Sequence, residues 1–341
     1  MLFSPEPKSL QPDYFNYRAE LDVFERYLSD DLTKLIAIKG LRRTGKTSFA
    51  LVSFSKLKKK HILIDARSLE APTRQALEKK MIEEFRKAEW IPKKLLDSVT
   101  SVEFGVKVGF TTATKLWDYL RKEEVVIFID EAQVLKGSGA DSLLAAIYDG
   151  TRVKLVLSGS EVGVLEDFLG QHDAKAPLFG RAFAEIQMKR LSAEKSLEFL
   201  KKGFEQAGKK PSETDLSEAV GALGGVIGWL TLYGNNALKT GHHSALKRTL
   251  ATGELLVHDE FEKFLSFRMA AKTRYVLVLQ AISKGFSSWS DIRDYLATKE
   301  NAPVSDPQLA NFLSSLADYG FIIKENERYL PADPVIRKAW Q

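Results

Sequence analysis

The residues in this chain best suited to chemistry form one short run, Gly40-Leu41-Arg42-Arg43-Thr44-Gly45-Lys46-Thr47, which matches GxxxxGK[ST]. The chemistry uses each part of the run. Glycines let backbone N–H groups turn inward around phosphate oxygens, and a helix starting there presents the positive end of its dipole to the anion. Lys46 is then placed to reach the β- and γ-phosphates of a nucleotide, and the Thr47 hydroxyl to ligate Mg²⁺. A second acidic pair, Asp130-Glu131, follows the apolar run Val125-Val126-Ile127-Phe128-Ile129 about 80 residues further on. A buried strand that ends in an acid presents it at the carboxyl edge of a sheet, where ligands bind in open α/β folds. Asp130 is a candidate Mg²⁺ holder. Glu131 is a candidate acceptor for polarising an attacking water.

These groups need elements to hold them. Five apolar, β-rich runs stand out: Leu35–Ile38, Ile62–Ile64, Val125–Ile129, Leu155–Leu157 and Phe183–Ile186. The first four are almost continuously apolar, as expected of parallel strands covered on both faces. Helical patterns lie between them, including Ser48–Leu57, Thr73–Ala88 and Ala140–Tyr148. Alternating strands and helices predict a doubly wound α/β core over residues 1–190. Ser101–Thr112 alternates with period two and predicts an extra strand or hairpin. After Leu191 the pattern turns helical. Ser192–Ala207, Asp215–Leu223 and a further helix to about Leu250, broken by Gly224-Gly225, predict an all-α domain over 191–258. In 259–341, three helical patterns (Thr273–Ser283, Ser288–Lys299, Pro307–Tyr319) precede two short β-like runs around Lys324-Glu325-Asn326-Glu327. That order predicts a winged helix-turn-helix.

Composition narrows the function classes. With 341 residues, 44% apolar and 28% charged, the chain has the profile of a folded protein of two or three domains. No cysteine is present, which excludes disulfides, thiol catalysis and thiolate metal sites. The five histidines (61, 172, 242, 243 and 258) lack HExxH-type spacing, and His242-His243 is expected in a solvated turn. No run of some 18 apolar residues is found, and the N-terminus lacks the apolar centre of a signal peptide. A cytoplasmic location is therefore expected. No internal repeat of solenoid period is seen.

The motifs together resemble the archaeal ATPase family within the AAA+/STAND group of P-loop NTPases. Gly40–Ser48 is close to that family's G-x-R-R-T-G-K-T-S phosphate loop. The resemblance implies ATP or ADP, with Mg²⁺, as cofactors. Phe15–Leu21 looks like its N-terminal box beside the adenine, implying a nucleotide role for Arg18; Tyr17 stands where a glycine is usual. Lys154–Leu165 resembles the sensor-1 strand and turn, and implies that Ser160 lies near the γ-phosphate. Pro177–Phe183 is similar to the P-L-x-G-R box and makes Arg181 a candidate arginine finger, with an exposed salt bridge as the bland alternative. Gly224–Leu230 resembles the lid motif G-G-x-P-G-W-L, with Ile227 in place of proline. Tyr329–Arg337 looks like the D-P-x-x-R ending of these winged-helix domains. The implied activity is slow, Mg²⁺-dependent ATP hydrolysis serving a conformational switch.

A winged helix usually suggests DNA, so its charge is informative. Residues 259–341 carry eleven Lys/Arg and eleven Asp/Glu, and the recognition-helix candidate Asp306–Tyr319 has two acids and no base. DNA affinity comes largely from cations that neutralise phosphates. Docking to a partner protein or to the chain's own core is therefore the expected role, with a nucleotide-regulated DNA-binding protein as the alternative. The cluster Lys56, Lys58, Lys59 and Lys60 is expected to be a solvated helix end rather than a nucleic-acid patch. A membrane partner is not expected, and a small-molecule kinase finds no support.

Overall fold

The computed structural model describes residues 1–92, 113–171 and 173–341. The expected hairpin at Ser101–Thr112 and His172 lie outside these described residues. The described chain forms two compact units: Lys8–Gly40 with Lys46–Met188, and Met1–Pro7 with Leu41–Gly45 and Lys189–Gln341.

The first unit is built on five parallel strands, β1 (Leu35–Lys39), β2 (His61–Asp65), β3 (Val126–Asp130), β4 (Lys154–Gly159) and β5 (Ala184–Gln187). They lie in the order β2-β3-β4-β1-β5. Strands β1, β3 and β4 are buried along their whole length, which explains their unbroken apolar runs. The helices are α1 (Arg18–Ser29), α2 (Lys46–Leu57), α3 (Arg74–Lys87), α4 (Ala113–Lys122), α5 (Ala140–Gly150) and α6 (Val162–Phe168). One core runs from Leu35 and Ile64 through Leu77, Phe85 and Ile127 to Leu143, Leu157 and Phe168. Because the strands are parallel, their carboxyl ends share one edge. Asp65 pairs with Asp130 there, and Lys39 with Gly159. Within the lysine cluster, Lys56 pairs with Glu25, Lys59 with Glu124 and Lys60 with Glu123.

The second unit is mainly helical: α7 (Ala193–Gln206), α8 (Glu213–Leu223), α9 (Ile227–Thr240), α10 (His242–Leu265), α11 (Lys272–Ser283), α12 (Trp289–Glu300), α13 (Asp306–Asp318) and α14 (Pro334–Ala339). Ser192, Ser212 and Ser288 cap α7, α8 and α12 through their hydroxyls. Strands β6 (Ile322–Glu325) and β7 (Arg328–Pro331) form the wing. Its two-residue turn, Asn326-Glu327, takes positive φ at both positions, as a type I′ hairpin requires. The expected boundary at 258/259 falls inside α10. The reason lies in its buried side chains: Val257, Phe261, Phe264 and Leu265 continue one apolar stripe, so nothing breaks the helix at Asp259. The N-terminal residues also join this unit. Phe3 packs edge-on against Phe199 and Phe204, and Leu2 N–H donates to Gln206 Oε1 at 2.9 Å.

Candidate functional site

The chain leaves β1 at Lys39, turns through Gly40 and enters α2 at Lys46. Gly45 takes φ 91°, a conformation open to glycine and strained for any side chain. Lys46 is 5% exposed although it is a cation, and its ammonium donates to Gly40 O at 2.9 Å. One residue further, the Thr47 hydroxyl bonds to Asp130 Oδ2. The other Asp130 oxygen accepts from the Ser158 hydroxyl and from Glu131 N–H at 3.1 Å. A hydroxyl beside a carboxylate is a hard-oxygen donor set, which suits Mg²⁺.

Glu131 sits beside this pair with φ 53°, left-handed for a residue that rarely tolerates it. Its Oε2 accepts from Ser160 Oγ and from Gln133 Nε2, both at 2.6 Å. Burial would raise the Glu131 carboxyl. The charge of Lys46 and the bonds from Ser160 and Gln133, with Arg67 adding to them, outweigh burial and lower it to about 2. Glu131 is therefore ionised at neutral pH. Arg67, just past β2, is held on Asp65 by bonds of 3.0 and 2.9 Å. That pairing, with the charges of Glu131 and Asp130, raises its already high pKa.

The structure thus gathers Lys46, Thr47, Asp130, Glu131 and Ser160 at one sheet edge. It separates other candidates from them. The Ser48 hydroxyl accepts from Lys8 N–H at 2.9 Å. Arg18 is exposed at the start of α1, and Tyr17 ahead of it takes φ 58°, the left-handed geometry that a glycine would adopt freely. Arg181 bonds to Asp149, with Nε at 3.1 Å from Oδ1. Asp149 lies at the end of α5, which leads into β4, so this pair is at the amino edge of the sheet, opposite Asp130.

Leu41–Gly45 belong with the C-terminal unit. Arg43 Nη2 lies 2.6 Å from Glu260 Oε1, and its guanidinium stands 4.1 Å over the Trp229 ring. Arg42 Nη1 donates to Tyr319 O at 2.7 Å. The lid motif explains itself in these contacts. Gly228 N–H donates to Arg43 O at 3.0 Å, and a Cβ on Gly228 would come within 2.7 Å of Arg43 Cβ. Trp229 Nε1 donates to Asp333 Oδ2 at 2.6 Å, and Asp333 also caps α14.

Gln133, Arg67 and Ser158 were not singled out from the sequence. A polar residue closing an apolar strand was the available signal for Ser158; Gln133 and Arg67 carried none. The histidines need one correction. His242 Nδ1 meets Tyr233 OH at 2.7 Å and Nε2 meets Glu218 at 3.1 Å, so His242 is anchored rather than in a solvated turn. His243 and Glu218 complete a group with metal-ligand spacing. His242 Nδ1 is already engaged by Tyr233 OH, and the positive end of the 24-residue α10 opposes a cation there.

Comparison with known proteins bears on this arrangement. Residues 14–232 match the family of ATPase domains found predominantly in Archaea. Residues 269–332 match the C-terminal winged helix-turn-helix domain of MCM proteins. The Walker-type ATPase PABY2304 of Pyrococcus abyssi is 33% identical, with a TM-score of 0.84 over 100% of this chain and 99% of its own. The RuvB Holliday junction branch migration motor of Thermotoga maritima matches at 11% identity and a TM-score of 0.48, over 96% of each chain. A search of curated proteins gives no significant match. The chain belongs to the family of ATPase domains found predominantly in Archaea, and it is an ATPase with a C-terminal winged helix-turn-helix.

Proposed function

We propose that this ATPase is a nucleotide-controlled conformational switch of the AAA+/STAND type, turning over ATP slowly. The observation that carries the proposal is the hold on the phosphate-loop residues Arg42 and Arg43 by Tyr319, Gly228, Trp229 and Glu260. A γ-phosphate in this loop acts on residues that the lid and winged-helix segments also hold. A ligand shifts a conformational equilibrium only through contacts that differ between states, and the γ-phosphate contacts are those lost on hydrolysis.

The roles follow from the site. Lys46 binds the β- and γ-phosphates. Thr47 and Asp130 would hold Mg²⁺, which when bound would neutralise charge at the phosphates. Glu131, ionised and fixed by Ser160 and Gln133, orients and polarises the attacking water. Arg181 serves either as a finger toward a neighbouring copy or as the ion pair with Asp149.

The winged helix is proposed to dock protein, in this chain or in a partner. The second reading, a nucleotide-regulated DNA binder, is favoured by the match to the winged helix of MCM proteins. Against it, α13 exposes Gln308, Asn311 and Ser314, buries Leu309, Phe312, Leu313 and Leu316, and has no cation. The switch is tested by hydrogen–deuterium exchange of the intact chain with ATP and with ADP, using Glu131→Gln to hold the ATP state. Protection should differ between the nucleotides at residues 226–230 and 319–321. Identical exchange in that segment would sink the switch.

A further inference from the structure

The phosphate loop needs its backbone N–H groups to point at the ligand; it does not need arginines at its third and fourth positions. Yet Arg42 and Arg43 are both committed, and to the same acid. Glu260, on α10, takes Arg43 Nη2 at 2.6 Å on Oε1 and faces Arg42 Nε at 3.5 Å on Oε2. These three side chains are each about one-fifth exposed, so water weakens their attraction less than on an open surface.

Further contacts fix Arg43 on other sides. Its carbonyl accepts from Gly228, its guanidinium stacks on Trp229, and Trp229 is itself tied to Asp333. Arg43 meanwhile takes φ 64°, a left-handed conformation that is strained for a non-glycine residue. A residue held there persists only where its surroundings over-determine it. The backbone so strained is the part of the loop that must curve around phosphate.

We infer that Glu260 is a positioning residue for ATP: by holding Arg43, and Arg42 beside it, it keeps the backbone of Leu41–Gly45 in the shape that receives the phosphates, and it keeps two guanidinium groups from occupying the cradle's anion-binding face in other ways. The inference rests on the reading that this loop holds the phosphates of ATP. It adds that nucleotide affinity is set partly by a carboxylate more than 200 residues away in sequence. Coupling of this kind is reciprocal, so ATP must in turn tighten the grip on Arg43 and change the surroundings of Trp229.

The test uses the full-length ATPase with Mg²⁺ and ATP. Kd for a fluorescent ATP analogue, KM and kcat are measured for the wild type, Glu260→Gln, Glu260→Asp, Arg43→Ala, the double variant Glu260→Gln with Arg43→Ala, and Lys46→Ala. Glu260→Gln should raise KM and Kd roughly tenfold, as expected when a charge-assisted contact becomes neutral, with kcat within about twofold. Glu260→Asp should recover part of the loss. Glu260→Gln should add nothing to the effect of Arg43→Ala, because one acts through the other. With Trp90, Trp117, Trp289 and Trp340 changed to Phe, ATP should shift Trp229 emission, and Glu260→Gln should abolish the shift. A wild-type KM in Glu260→Gln, a fall in kcat at unchanged KM, or additive losses in the double variant would overturn the inference. Lys46→Ala separates the two layers. If it binds ATP normally, the loop is not the phosphate site; if it loses binding while Glu260→Gln does not, only the role of Glu260 fails.

Discussion

At the scale of single residues, the site is organised by how buried charges are compensated. Lys46 and Glu131 are both nearly inaccessible, and each is tolerable because of the other. Glu131 gains further from the Ser160 and Gln133 bonds. Replacing it by glutamine keeps the shape but removes the charge that polarises water. Glu131→Gln should therefore bind ATP like the wild type while single-turnover hydrolysis falls about 100-fold or more. Unchanged single-turnover rates would remove Glu131 from the mechanism. The pH dependence has a definite sign. A lowered carboxylate stabilises the fold above its unfolded pKa and loses that contribution as pH falls through the folded value. For Glu131 the window runs from about 4.5 down to about 2. The acid limb of kcat/KM for ATP should thus show no inflection from Glu131 above pH 4.5; one that Glu131→Gln abolishes there would contradict the assignment.

At the scale of elements, parallel strands explain both what meets and what stays apart. Helices return each strand to the same starting edge, so the loops after β1, β3 and β4 converge on Thr47, Asp130 and Ser160. The segment before β5 must lie at the other edge, and Arg181 is there with Asp149. A finger at that edge acts only on another copy's nucleotide. If it does, specific activity should rise with protein concentration in the wild type and stay low and flat in Arg181→Ala. Activity independent of concentration and unharmed in the variant would leave Arg181 as an ion pair, worth at most about 1 kcal/mol at such an exposed position. Much of this level was readable beforehand. Apolar runs mark strands that are buried on both faces, and the apolar spacing of α13 marks its core side, now Leu309, Phe312, Leu313 and Leu316. The short α14 was less readable, because its start depends on Asp333 capping a six-residue helix that also answers to Trp229.

At the scale of the whole molecule, charge decides what the winged helix meets. The region from Asp259 onward balances its charges, and its wing lysine, Lys324, is neutralised by Glu327 at 2.7 Å. The intact chain is the right object to test, since a fragment starting at Asp259 would cut α10 between Val257 and Phe261. Fluorescence anisotropy with random duplexes across a salt series should give Kd above about 10⁻⁶ M near physiological salt. Submicromolar binding with a steep salt slope would move DNA to first place.

What the sequence determined by itself was local: a phosphate loop whose glycines, lysine and threonine act within one turn, strands defined by unbroken apolar runs, and acids placed at strand ends. Chain adjacency suffices for each of these, because neighbouring residues have little freedom to be anywhere else. Tertiary structure decided the rest. Glu260 meets Arg43, Trp229 meets Asp333, and Phe3 fills a space among Phe199, Phe204 and the bare faces of Gly203 and Gly234. Each of these pairs residues about 100 to more than 200 positions apart. An acid on a helix looks the same in sequence whether it faces water or an arginine; only the packing of apolar faces settles which partner it finds.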